Sequence, residues 1–143
     1  MTNAPSNRTD QAFYTYVTHD VARYSDTDRQ GHINNAVFAK YLEAGRTALF
    51  FDPAMELRVP GCSFVIVRLE LDFLAEMHWR GPVLIGTRIA SIGRTSMRFA
   101  QAIFQDDRCT ATSDSVLVLM DDNTRRASPI PEPWRARLAP AEL

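Results

Sequence analysis

The chain has 143 residues, enough for one domain with a single core and no disulfide support. Its 45% hydrophobic and 23% charged residues match a soluble globular protein, and a net charge of −1 supplies no global field for nucleic acid or an anionic membrane. Met1 to Asp10 is polar, without the apolar run of a signal peptide, and no window of about 18 apolar residues suggests a transmembrane helix. The expectation is a cytoplasmic protein of one domain, 1–143, with a core over about 16–121 and a Pro/Arg-rich tail over 122–143. Cys62 and Cys109 have no metal-ligand spacing and read as two reduced thiols.

Residues 16–24 alternate Val17 and Val21 with more polar neighbours and read as a first strand. A polar segment, Tyr24 to Asn35, follows. From Ala36 to Phe51 the apolar residues fall at 37, 38, 41, 42, 45, 48 and 49, a helical period. Lys40, Glu43 and Thr47 take the opposite stripe, Asn34 or Asn35 is the N-cap, and Asp52-Pro53 ends the helix. After Pro60-Gly61 the period becomes two: Val65, Val67, Leu69, Leu71 and Phe73 are expected on one strand face, with Arg68, Glu70 and Asp72 on the other.

His78 to Pro82 reads as a turn, and Val83, Ile85, Thr87 and Ile89 alternate in the next strand. Another turn at 91–94 leads to a strand through Thr95, Met97, Phe99, Gln101 and Ile103. Asp106-Asp107 is a hairpin turn, and 109–120 alternates through Val116, Val118 and Met120. The tail is expected to lie over the surface, with a helical turn near Trp134 to Leu138. One helix cannot cover both faces of so long a sheet. The pattern therefore predicts an antiparallel sheet curled around a central helix, its uncovered edge or face buried by a second copy.

The polar segment carries the chemistry. Asp26, Asp28, His32, Asn34 and Asn35 stand just ahead of a helix whose first amides have no intrahelical partners and favour negative charge. Such a loop can hold a base or nucleophile beside amides that favour negative charge, a pairing that chemistry needs and packing does not. Gly31 permits a turn or the close approach of a substrate. Asp26-x-Asp28-x-Gln30-Gly31 mimics the start of an EF-hand loop, but Val37 stands where its bidentate Glu belongs. Asp28 and His32 find no third ligand at zinc spacing, so no metal is expected.

Tyr24-Ser-Asp26-Thr-Asp28-Arg-Gln-Gly31-His32-Ile-Asn34-Asn35-Ala36-Val-Phe38 resembles the motif of hot-dog-fold acyl-CoA thioesterases of the 4-hydroxybenzoyl-CoA thioesterase-like branch. Tyr41 to Arg46 continues the likeness, Gly93-Arg94-Thr95-Ser96 is similar to that branch's mid-sheet strand, and Pro129 to Glu132 resembles its tail. Phe38 departs from the pattern, which commonly has tyrosine there.

The resemblance implies an α+β hot-dog fold with about five strands around one long helix. It implies Asp28 as the catalytic carboxylate, either nucleophile or general base, and amides around Asn35 and Ala36 as the oxyanion site. The substrate would be an acyl-CoA or acyl-carrier-protein thioester, with no cofactor beyond the coenzyme A that belongs to the substrate. Subunits would pair as a homodimer or homotetramer with sites at the interface.

His32 either polarises substrate or holds the loop, and Asp26 is expected to hold the turn. Glu43, on the helix where other hot-dog branches carry a catalytic Glu, ranks as structural. Arg94 and Arg98, near Gly93, Thr95 and Ser96, suit phosphate and pantetheine contacts or a solvated strand face. The alternatives are a hot-dog hydratase or dehydratase using His32, and a non-catalytic acyl-thioester binder.

Overall fold

The computed structural model describes residues 4–138. A five-stranded antiparallel sheet is formed by β1 (Tyr16–Val21), β2 (Cys62–Phe73), β3 (Pro82–Ile92), β4 (Ser96–Gln105) and β5 (Arg108–Asp121), in the order β1-β3-β4-β5-β2. The long helix α1 (Asn35–Phe50) packs on one face of this curled sheet, and a short helix α2 (Pro133–Leu138) lies in the tail. No helix among the described residues is long and apolar enough to cross a membrane.

Helix α1 starts where the sequence predicts, at an Asn N-cap: Asn34 is extended and its side chain accepts from the Ala36 amide at 2.9 Å. Phe38, Tyr41, Leu42, Leu49 and Phe50 are buried, whereas Lys40, Glu43 and Thr47 face outward. Gly45 lets the helix sit close to the sheet. A Cβ there would lie 2.7 Å from Ile85 Cγ2 and 2.9 Å from Gln101 Nε2. A polar link crosses the same contact. Arg46 donates to Gln101 Oε1 at 3.1 Å, and Gln101 Nε2 donates to the Leu42 carbonyl and to Thr87 Oγ1, both at 3.0 Å. Burial lowers the pKa of Arg46. Pairing through Gln101 rather than water makes this buried guanidinium tolerable.

Several strand expectations need correction. β1 ends at Val21, and a 3-10 turn over Tyr24–Asp26 takes the chain out of the sheet. A bulge between Ile66 and Arg68 shifts the phase of β2. Cys62 and Phe64 before it and Leu71 after it pack on the core, so Val65 and Leu71 do not share a face. In β5 the buried set is Ala111, Ser113, Ser115, Leu117 and Leu119, opposite to Val116, Val118 and Met120.

The Asp106-Asp107 hairpin forms, with both residues at positive φ, 53° and 62°. The segment before β1, unassigned in the sequence, covers the outer face of the sheet: Tyr14 packs with Ala100, Ala102 and Phe104. The tail is more than a surface strap, because Ile130 and Trp134 are buried against the end of α1. Its last residues, 139–143, fall outside the described residues. Cys62 and Cys109 are unpaired.

Candidate active site

The motif loop is fastened at both ends. Asp26 Oδ2 accepts from the Arg23 amide at 3.0 Å and from the Tyr41 hydroxyl at 2.8 Å, while its carbonyl accepts from the Asn34 amide at 2.9 Å. Asp26 thus ties the loop to the N-cap and to the second turn of α1, the holding role expected for it. Burial, then the bond to Asp26, raises the pKa of Tyr41, so its hydroxyl keeps its proton and donates.

Asp28 closes a tight turn. Its amide donates to the His32 carbonyl at 2.8 Å, and its Oδ1 accepts from the amides of Gln30 at 2.8 Å and His32 at 3.2 Å. Gly31 sits inside this turn at φ +85°, a region costly for any side chain. One carboxylate oxygen is therefore anchored, while Oδ2 has no hydrogen-bond partner among the described residues. A carboxylate held by one oxygen and free at the other is suited to take a proton or attack.

Asp28, His32, Asn35, Phe38 and Phe73 line one cleft of about 360 Å³ between the start of α1 and the end of β2. The two amides at the start of the helix differ. The Ala36 amide is occupied by the Asn34 side chain at 2.9 Å. The Asn35 amide has no partner among the described residues, which leaves it as the available donor. Phe38, standing where tyrosine is common, is buried with its ring 5.1 Å from that of Phe73, and so serves as apolar wall.

A second cleft, about 300 Å³, lies at the other end of α1 and is lined by Glu43, Arg46, Phe50, Phe64 and Leu119. No residue of the motif loop lines it. Glu43 is exposed there, at a distance along the helix from Asn35.

Gly93, Arg94, Thr95, Ser96 and Arg98 are not brought to Asp28. They lie at the β3–β4 turn and the start of β4, whereas the motif loop sits beyond the start of β3, beside His78. β3 is 11 residues long, so the two groups lie roughly 30 Å apart along the sheet. The turn is well held: Gly93 donates to the Ser96 carbonyl at 2.8 Å, and Arg135 of the tail donates to the carbonyls of Ile92 and Gly93. The side chains of Arg94 and Arg98 are exposed.

The sequence missed two residues beside the loop. An antiparallel bridge sets His32 opposite His78, and His32 Nε2 lies 3.2 Å from Glu76 Oε2. Only a pairing between distant segments makes them neighbours, and no local spacing signals it.

A curled antiparallel sheet around one helix, with an acidic loop at the helix N-terminus, defines a hot-dog-fold protein of the thioesterase type. The chain belongs to the thioesterase-like superfamily, whose family model matches residues 22–138. Among solved structures it is similar to a predicted thioesterase from Bacillus stearothermophilus, with 32% identity over 90% of this chain and 98% of that one and a TM-score of 0.77. A thioesterase complexed with coenzyme A and zinc from Thermus thermophilus is 30% identical over 87% of this chain and 92% of that one, TM-score 0.73. A 1,4-dihydroxy-2-naphthoyl-CoA thioesterase from Synechocystis shares the fold at 17% identity, over 87% of this chain and 95% of that one, TM-score 0.75. No curated protein matches the chain. The family and these neighbours support hydrolysis of acyl thioesters as the general class of reaction.

Proposed function

We propose that the protein hydrolyses an acyl-CoA thioester to the free acid and coenzyme A. The observation that carries this reading is the free Oδ2 of Asp28 in the same cleft as the unpartnered Asn35 amide. Asp28 attacks the thioester carbonyl, or removes a proton from the water that does. The Asn35 N–H at the positive end of the α1 dipole receives the developing oxyanion. The anchored Oδ1 holds the carboxylate in place through the reaction without reorganisation.

Coenzyme A in one neighbour supports CoA as the thiol carrier here. Arg94 and Arg98 supply charge for its phosphates, but from the far end of the sheet. A second copy solves that separation. β2 is an edge strand of 12 residues along which Ile66, Val67, Leu69 and Phe73 are exposed. An unpaired apolar edge of that length is a template for pairing, and we infer a homodimer joined there. A two-fold pairing of antiparallel edges turns one sheet end for end against the other, bringing the partner's β3–β4 turn to the level of this chain's Asp28.

The test is thiol release from a panel of aryl and fatty acyl-CoA thioesters. The native chain is expected to turn over at least one class. Asp28→Asn and Asp28→Ala are expected to lose roughly 10²–10⁴ in kcat with the fold intact. Full activity in both variants overturns the assignment. Hydration of an enoyl thioester that depends on His32 would favour the hydratase alternative, and binding without turnover the non-catalytic one.

A further inference from the structure

His32, Glu76 and His78 converge from two segments at the rim of the Asp28 cleft. The antiparallel bridge sets His32 opposite His78, and such partners hold their Cβ atoms roughly 5 Å apart. Met77 is fully buried while Glu76 and His78 on either side are exposed. The chain therefore alternates sides here, and Glu76 and His78 project the same way. One ligand atom from each of the three residues lies within 4.8 Å of the others.

A hydrogen-bonded pair of His32 and Glu76 explains two of these groups and leaves the third without a role. The His78 ring stands 5.1 Å from the His32 ring at 74° and has no hydrogen-bond partner among the described residues. Zinc bonds of about 2.0–2.1 Å in a tetrahedron put ligand atoms roughly 3.3 Å apart. The 3.2 Å between His32 Nε2 and Glu76 Oε2 already meets that. The wider spacings close by rotation of Glu76 and His78, both exposed.

The backbones bearing these ligands are fixed in advance. The His78 amide donates to Gln105 Oε1 and its carbonyl accepts from Gln105 Nε2, both at 2.9 Å. The Ile33 amide donates to the Met77 carbonyl at 2.8 Å, and the His32 amide donates to Asp28. A site so held loses little freedom when an ion arrives.

We propose that His32, Glu76 and His78 bind one divalent cation of the zinc class. Two imidazoles and one carboxylate suit zinc, whereas calcium and magnesium take oxygen ligands. Three protein ligands leave a fourth position for water or a ligand oxygen, and His32 and Glu76 line the cleft that Asp28 lines. The ion adds a side-chain link between the motif loop and residues 76–78 beside the turn that carries Asp28. The inference rests on this geometry and not on thioester hydrolysis.

The test uses the full chain stripped with a chelator, titrated with Zn²⁺ by calorimetry and with Co²⁺ by visible absorption. One equivalent per chain is expected, with the d–d bands of four-coordinate cobalt. His78→Ala and Glu76→Gln should each weaken binding more than about tenfold, a loss that even outer-shell changes reach. Cys62→Ser and Cys109→Ser should leave it unchanged.

The chain has three histidines, so ring NMR signals decide the matter without any variant. Zinc should shift His32 and His78 and leave His19 alone. No uptake at micromolar zinc, native affinity in His78→Ala, or equal shifts at all three histidines overturns the proposal. None of these readouts requires substrate, so failure here is separable from failure of the catalytic reading.

Discussion

Tyr41→Phe isolates the bond that fastens the motif loop to α1. The ring is 2% exposed and remains packed, so only the hydroxyl and its 2.8 Å bond to Asp26 Oδ2 are lost. A hydrogen bond to a charged group contributes about 1.5–3 kcal/mol. Asp26 keeps the Arg23 amide on the same oxygen and is only half-buried, which puts the loss near the lower end, about 1.5 kcal/mol. At this chain length that is a Tm shift of roughly 3–6 °C.

Asp26→Asn and the double variant complete a cycle whose coupling should approach the same figure. Because the loop carries Asp28, kcat should fall by about tenfold while KM stays near native, as small misplacements at a reacting centre cost rate. Urea melts and thiol-release kinetics on the four proteins measure both quantities. A coupling energy below about 0.5 kcal/mol means the two residues act independently. A native kcat in a destabilised Tyr41→Phe means the clamp supports the fold and does not position Asp28.

Three further outcomes are expected. Gly45→Ala puts a methyl 2.7 Å from Ile85 Cγ2 and should cost about 1–3 kcal/mol in urea melts, the usual range for overpacking. Val67→Lys with Leu69→Lys, both exposed along the edge strand β2, should convert the proposed dimer to monomer in light scattering with native circular dichroism retained. Burial raises the pKa of Cys109, Tyr14 and Tyr41. The native chain therefore holds protons that the unfolded chain gives up from about pH 9.0 for the thiol and 10.0 for the phenols. Stability from these groups is complete below that range and lost as pH rises through it. Urea midpoints measured across alkaline pH should decline accordingly.

The helix and its cap were legible because each depends on neighbours in sequence: a 3.6-residue period, an Asn before it, and Asp-Pro after it. The Asp106-Asp107 turn was legible for the same reason. The phase of β2 was not, since the bulge near Val67 is set by its pairing with β5, and Val, Ile and Leu occur on both faces of that strand. Arg46 falls on the buried stripe, but its charge gives no sign that Gln101, on a distant strand, will accept from it. At the site, Asp28 and Asn35 were visible through the motif. His78 and Glu76 were not, because they reach His32 through a bridge between segments that the sequence separates by a helix and a strand. Counting by local spacing paired His32 with Asp28, whereas the fold sets it beside Glu76 and His78.

The separation of Asp28 from Arg94 and Arg98 leads to a prediction that distinguishes a shared site from two unrelated features. Within one chain the groups sit at opposite ends of β3, and in the proposed dimer the arginines acting on substrate at Asp28 come from the other copy. Consider Asp28→Asn in one preparation and Arg94→Glu with Arg98→Glu in a second, each impaired alone. Mixed one to one through unfolding and refolding, half of the dimers are heterodimers. Each heterodimer contains one site with both mutations and one site with neither, so about a quarter of all sites regain native composition. Thiol release should recover to roughly that fraction at subsaturating acyl-CoA, where the arginines act through binding. If the arginines served Asp28 of their own chain, every site would keep one defect and mixing would recover nothing. If they were merely solvated, the arginine variant would be active before mixing. Recovery near a quarter is the result that assigns Arg94 and Arg98 to the partner's substrate.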